Sequence, residues 1–111
     1  MDKASEAPKG VPFDLADNVA YADGSVVSKT LLKKQAGNIT LFSFSAGQGL
    51  SEHTAPFDAV VHILDGKARI TIGGRPTTVS TGQMLIMPAN ISHALHAEEP
   101  FKMLLIMLRS D

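Results

Sequence analysis

Apolar side chains along this sequence recur at every second position rather than every third or fourth. That alternation predicts strands, because successive side chains of a strand point to opposite faces. It is cleanest over Lys67–Ile72, where Lys67, Arg69 and Thr71 face one way and Ala68, Ile70 and Ile72 the other. Further strands are expected over Val26–Leu32, Ile39–Ala46, Ala59–Leu64, Pro76–Ser80, Met84–Met87, His93–Ala97 and Phe101–Leu108. Within Ile39–Ala46, Phe42 and Phe44 share one face and Leu41 takes the other. Turns are expected at Ala36–Gly37–Asn38 and Thr81–Gly82, and hairpins at Asp65–Gly66 and Gly73–Gly74, where Asp and Gly tolerate positive φ. Short strands at regular spacing, with no long capped helical pattern, predict an all-β sandwich or barrel of two antiparallel sheets.

Three of these strands, Ala59–Leu64, Met84–Met87 and Phe101–Leu108, are apolar on both faces apart from His62 and Lys102. Strands of that kind are usually covered on both sides. One face lines the barrel; the other needs a cover. Val11 to Tyr21 can supply part of it, and a second copy of the chain, forming a homodimer, is expected to supply the rest.

With 111 residues and 44% apolar content, the chain has the material for one core. Residues 1–10 are polar, contain Pro8 and Gly10, and read as a flexible arm; residues 11–111 read as a single barrel domain. The formal charge is −1 and no basic face stands out to neutralise a nucleic acid's phosphates, so nucleic-acid partners are not expected. Without cysteine, the chain has no disulfide, thiolate metal site or cysteine nucleophile. No apolar run is long enough to span a bilayer, no secretory signal is visible, and a soluble cytoplasmic protein is the expectation.

Two spaced motifs add to this pattern. Gly47 is followed by His53 and, further on, by Gly66; Gly82 is followed by Pro88 and His93. On these residues the chain resembles the cupin superfamily, in its small single-domain conserved-barrel (cupin 2) form, over roughly residues 38 to 108. The resemblance implies a double-stranded β-helix, or jelly-roll barrel. It also implies a metal site of three histidines and a glutamate, of which this chain keeps His53 and His93. The other two positions fall on Ala55 and Ala59, and a glycine of the second motif falls on Asn90, a residue that tolerates a left-handed backbone.

Two imidazoles are fewer than the three protein ligands of usual catalytic sites. Any divalent transition metal is therefore expected to be weakly held by His53 and His93. Asp58 and Glu52 have the wrong parity to join them, unless a bulge or loop turns Asp58 inward; His62 and His96 have it too and are expected to face solvent or a partner subunit. Met84, Met87, Met103 and Met107 read as core filler, with a soft copper(I) ligand as the alternative. Inward parity with the two histidines gives the expected ligand-binding set: Ser51, Ala55, Ala59 and Val61 beside His53 and His93, with Ile63 and Leu95 deeper. The expected function is small-molecule binding at a degenerate metal site. The alternative is a metal-dependent enzyme of the small cupin type, a dioxygenase, isomerase or decarboxylase.

Overall fold

The computed structural model describes residues 6–109. It contains nine strands: β1 (Val26–Lys34), β2 (Gly37–Phe44), β3 (Gly49–His53), β4 (Asp58–Asp65), β5 (Lys67–Ile72), β6 (Arg75–Ser80), β7 (Met84–Met87), β8 (His93–His96) and β9 (Phe101–Leu108). They form a five-stranded sheet in the order β1-β2-β9-β4-β7 and a four-stranded sheet in the order β3-β8-β5-β6. Every pairing is antiparallel. Helix among the described residues is one 3-10 turn, Ala16–Asn18. These are the two antiparallel sheets that the alternation and turns predict, in the jelly-roll arrangement that the resemblance implies.

Two local expectations need correction. The first concerns Asp65–Gly66. The residues do turn the chain, and Gly66 has φ of 73°, but β4 and β5 are not a hairpin. β4 pairs with β7 and β9, while β5 pairs with β6 and β8, so Gly66 carries the chain from one sheet to the other. A Cβ there would lie 2.2 Å from the Pro100 carbonyl oxygen, and only glycine allows that approach. The second concerns β3, which is absent from the strands the alternation predicts. It is an edge strand with four of its five residues exposed, so no hydrophobic alternation marks it. The Gly73–Gly74 hairpin forms as expected: Ile72 faces Arg75, and both glycines have positive φ (54° and 82°).

Between the sheets, Phe44, Val61, Ile63, Ile70, Phe101 and Met103 are fully enclosed. Their alternation along β2, β4, β5 and β9 puts this set on the inner face. Leu41 turns to the outer face of the five-stranded sheet, where it packs with Val19, Leu31, Leu15, Leu64 and Leu104. The segment before β1 therefore covers part of that outer face. Ala7 N–H donates to the Leu31 carbonyl at 2.9 Å, and Lys33 N–H donates to Glu6 at 3.1 Å, which tie the segment to β1. Of the arm expected over residues 1–10, residues 1–5 lie outside the described residues.

The same segment is fastened at its other end. Tyr21 Oη donates to Asp65 Oδ2 at 2.5 Å, and Lys102 Nζ donates to the Ala16 carbonyl at 2.7 Å while lying 5.0 Å from the Tyr21 ring centre. Burial, followed by the Asp65 hydrogen bond and charge, pushes the Tyr21 phenol well above its ordinary pKa, so it stays a donor. Among the described residues the cover stops short of β7. Ile39, Ile106, Val60 and Ile86 form one continuous apolar row across β2, β9, β4 and β7. Ile86 in that row is 57% exposed, and Met84 and Leu108 beside it are 62% and 54% exposed.

Candidate functional site

His53 and His93 stand opposite each other at the ends of β3 and β8. Simple alternation does not bring them together. Leu50 faces Leu95 and His53 faces His93, so two residues of β3, Ser51 and Glu52, oppose the single Ala94 of β8 across an irregularity between Leu50 and His53. That extra residue is a bulge, which re-aims the side chain that follows it. Leu50 packs on the core, and His53 turns inward with it despite the odd spacing. Ser51 falls within the bulge and is exposed, so the parity that would carry it inward is broken there.

The ring Nε2 atoms of His53 and His93 are 3.1 Å apart, with ring centres 4.3 Å apart and planes at 68°. Each Nδ1 faces a main-chain carbonyl: His53 Nδ1 lies 2.8 Å from Ser51 O, and His93 Nδ1 lies 3.3 Å from Ile91 O. A carbonyl oxygen can only accept, so each Nδ1 carries the proton. A ring that carries its proton on Nδ1 alone presents its Nε2 lone pair to the other ring. Two facing lone pairs at that distance repel unless a proton, a donor or a cation lies between them. This orientation by carbonyl partners is the one that prepares imidazoles as ligands.

The two rings differ in surroundings. His53 is exposed, and His93 is 5% exposed. Burial lowers the His93 pKa below its ordinary 6.5; the Ile91 carbonyl opposes that shift, and repulsion from His53 adds to it. The unfolded chain therefore takes up a proton, just below pH 6.5, that folded His93 refuses. Stability is fully present above that pH and falls as the solution is acidified through the window between the two pKa values. Thermal melts at about pH 7.5 and about pH 5.5 should show a lower midpoint in acid, with a smaller decrement in His93→Gln. Equal decrements in the two proteins would remove His93 as the cause.

The remaining sequence candidates divide clearly. Ala59 is buried on the inner face at the start of β4. Val61, Ile63 and Leu95 lie deeper in the core. Ala55 is half-buried in the loop between β3 and β4, and its carbonyl accepts from Asn90 N–H at 2.8 Å. Asn90 has φ of 65°, the left-handed geometry that its side chain tolerates. Asp58 turns away from the histidines, and its Oδ1 accepts from Ala89 N–H at 2.8 Å. Glu52 accepts from Ser92 Oγ at 3.3 Å. His62 lies on the outer face beside Met84 and Leu104, and His96 is exposed on β8. Neither approaches the pair.

Sequence reasoning missed the main-chain partners Ser51 and Ile91, which no residue type announces. It also missed the Asp58 and Asn90 contacts that lock the two loops together. No group of three or more His, Cys, Asp or Glu able to hold a metal occurs among the described residues. Grooves of about 440 Å³ and 320 Å³ lie elsewhere, one lined by Lys67, Arg69, Glu98 and Glu99, the other between Phe13, Leu31 and Leu104. Arg69–Glu98 at 3.0 Å and Lys67–Glu99 at 3.8 Å already satisfy the charges of the first. The paired imidazoles, rather than either groove, carry unspent ligating capacity.

The chain is similar to several solved barrels. A conserved protein of unknown function from Streptococcus pyogenes is 39% identical, with 96% of this chain and 93% of that one covered and a TM-score of 0.90. A cupin superfamily protein from Desulfitobacterium hafniense is 31% identical, with 95% and 96% covered and a TM-score of 0.88. A cupin 2 conserved barrel domain protein from Leptotrichia buccalis is 45% identical over 87% of this chain, with a TM-score of 0.86. This chain spans about half of that last protein, 47% of its length. The model of the cupin domain matches residues 40–107, from the second strand through the histidine pair to the last, and the chain belongs to the cupin domain family.

Proposed function

We propose that the protein is a small-molecule-binding cupin whose binding point is the His53–His93 pair. The observation that carries this reading is the 3.1 Å approach of two Nε2 atoms whose Nδ1 protons are spoken for. A ligand carrying an acidic proton, or a transition metal ion with the ligand bound to it, would satisfy both lone pairs. The spacing suits a metal, since two adjacent ligands with bonds of about 2.1 Å lie roughly this far apart. A bound ion would supply a Lewis acid at the barrel mouth. The protein's own part is to orient the rings and keep the buried side of the mouth dry.

With two protein ligands the ion should be weakly held and separable from folding. Elemental analysis of protein purified with zinc or nickel present should find the ion, and dialysis against EDTA should remove it. The thermal midpoint should then fall by no more than about 3 °C, since a loosely held ion adds little stability by mass action. A fall of tens of degrees would mark a structural metal and overturn this reading.

The uncovered outer face supports a homodimer. The row Ile39, Ile106, Val60 and Ile86, with Met84 and Leu108 beside it, would be buried against the same row of a second copy in a two-fold interface. A dimer should appear in light scattering at micromolar protein. Ile86→Lys should shift it to monomer without disturbing the fold, because Ile86 is 57% exposed in one chain. A wild-type monomer, or an unaltered dimer in the variant, would remove this face as the interface.

A further inference from the structure

Resting on the histidine pair as the binding point, we infer that the barrel mouth is a site for copper(I), with thioether donors from Met87 and Met107 joining the two imidazoles. This departs from the divalent ion that the family resemblance implies, and the reason is the donor set.

The inner face around Ala59 provides the sulfur. Met107 on β9 and Met87 on β7 are the two ladder neighbours of Ala59, one on each side. All three belong to, or pack against, the inner core cluster; Met87 is 3% exposed and Met107 is half-buried. Directly opposed residues in a sheet have Cβ atoms about 5 Å apart. Methionine has three rotatable bonds beyond its Cα, so either sulfur can reach the volume above the Ala59 methyl group. That is where the family resemblance would place a glutamate.

The topology puts this spot and the histidines at one end of the barrel. The chain passes from His53 to the start of β4 through a short loop, and from the end of β7 at Met87 to His93 through another. The two loops are joined to each other by Asn90 N–H to Ala55 O and by Ala89 N–H to Asp58, both 2.8 Å. The start of β4 and the end of β7 are thereby held against the segments that carry the imidazoles.

Charge selects the ion. Among the described residues no carboxylate converges on the pair, and the chain has no cysteine. Two neutral imidazoles and two thioethers carry no charge, so a divalent ion would keep its full double charge beside buried apolar surface, which is costly. A monovalent ion halves that charge. The thioethers select the soft copper(I) ion; imidazole alone suits zinc, iron and nickel as well as copper, and manganese favours carboxylate.

The test is an anaerobic titration of the metal-free protein with copper(I) in the presence of ascorbate, using bicinchoninate as the competing chromophore, with zinc(II) titrated in parallel. One copper(I) per chain is expected, with X-ray absorption showing sulfur at about 2.3 Å from the metal. The double variant Met87→Leu/Met107→Leu, a volume-conserving change that should fold normally, should lose roughly tenfold or more in copper(I) affinity while zinc(II) affinity stays within about twofold. No copper(I) uptake, a nitrogen-only coordination sphere, or unchanged affinity in the double variant overturns the thioether site. A distinct failure is copper(I) and zinc(II) uptake unaltered in His53→Ala, which overturns the histidine reading on which it rests.

Discussion

Replacing His53 with alanine is expected to abolish zinc(II) uptake while leaving the barrel standing. The expectation follows from arithmetic at the site. Zinc(II) has only the two imidazoles to use, so removing one leaves a single nitrogen donor, and one neutral imidazole holds no zinc(II) against water. His53 is exposed, and its contact with a carbonyl is local, to the residue two positions before it, so the change should cost stability less than about 0.5 kcal/mol. His93→Ala should abolish uptake equally but cost more, about 1–3 kcal/mol, because that ring is 5% exposed and its removal leaves a gap. Zinc(II) uptake by equilibrium dialysis, beside urea unfolding of each variant, reads both effects. Retained uptake in either variant would remove the pair as the binding point. A collapse of stability in His53→Ala would mean that the ring is structural.

The fold was legible because its information is carried by hydrophobic alternation and by glycine. Lys67–Ile72 alternates over its whole length and is β5 with the same bounds. Phe42 and Phe44 pack in the inner cluster while Leu41 packs in the outer one, as their parity predicts. Gly73–Gly74 closes the hairpin it announces. Asp65–Gly66 shows the limit of such signals. A turn dipeptide reports that the chain reverses, and whether the next strand pairs with the last one or crosses to the facing sheet depends on contacts far away in sequence. Here the Phe101 strand takes the place beside β4 that a hairpin would have given to β5.

The site was legible in its side chains and illegible in its backbone. His53 and His93 could be named from spacing, and the structure brings their Nε2 atoms together. What aligns them, though, is a bulge in an exposed edge strand and two carbonyl oxygens, neither of which leaves a mark in residue type. Ser51 illustrates the consequence. Counting by twos from His53 carries it inward, but the bulge resets the count, so Leu50 takes the inner face and Ser51 is exposed. The parity argument held for Asp58, His62 and His96, which lie on regularly paired stretches of strand.

Phe101→Ala should be among the most damaging single substitutions in the barrel, costing about 3–5 kcal/mol. Phe101 is fully enclosed, and its ring stacks on Phe44 with centres 4.4 Å apart and planes at 13°. The two face each other across the β2–β9 ladder and fill the end of the barrel where Gly66 crosses between sheets. Alanine would leave Phe44 without its partner and open a cavity against backbone that cannot collapse. A domain of this size has a total stability of roughly 5–15 kcal/mol, so the loss is a large share of it. The thermal midpoint should fall by at least about 12 °C, whereas Phe101→Leu, which keeps most of the volume, should lose a fraction of that. A fall below about 5 °C for the alanine variant would mean that the closed end is not a rigid part of the core. The histidine pair lies at the opposite end, since β9 runs from Phe101 to the Met107 position, roughly 20 Å along the strand. Metal uptake per folded molecule should therefore be unchanged in Phe101→Ala at low temperature. A parallel loss of uptake would show that the His53–His93 spacing depends on core packing at the far end rather than on the β3–β8 register.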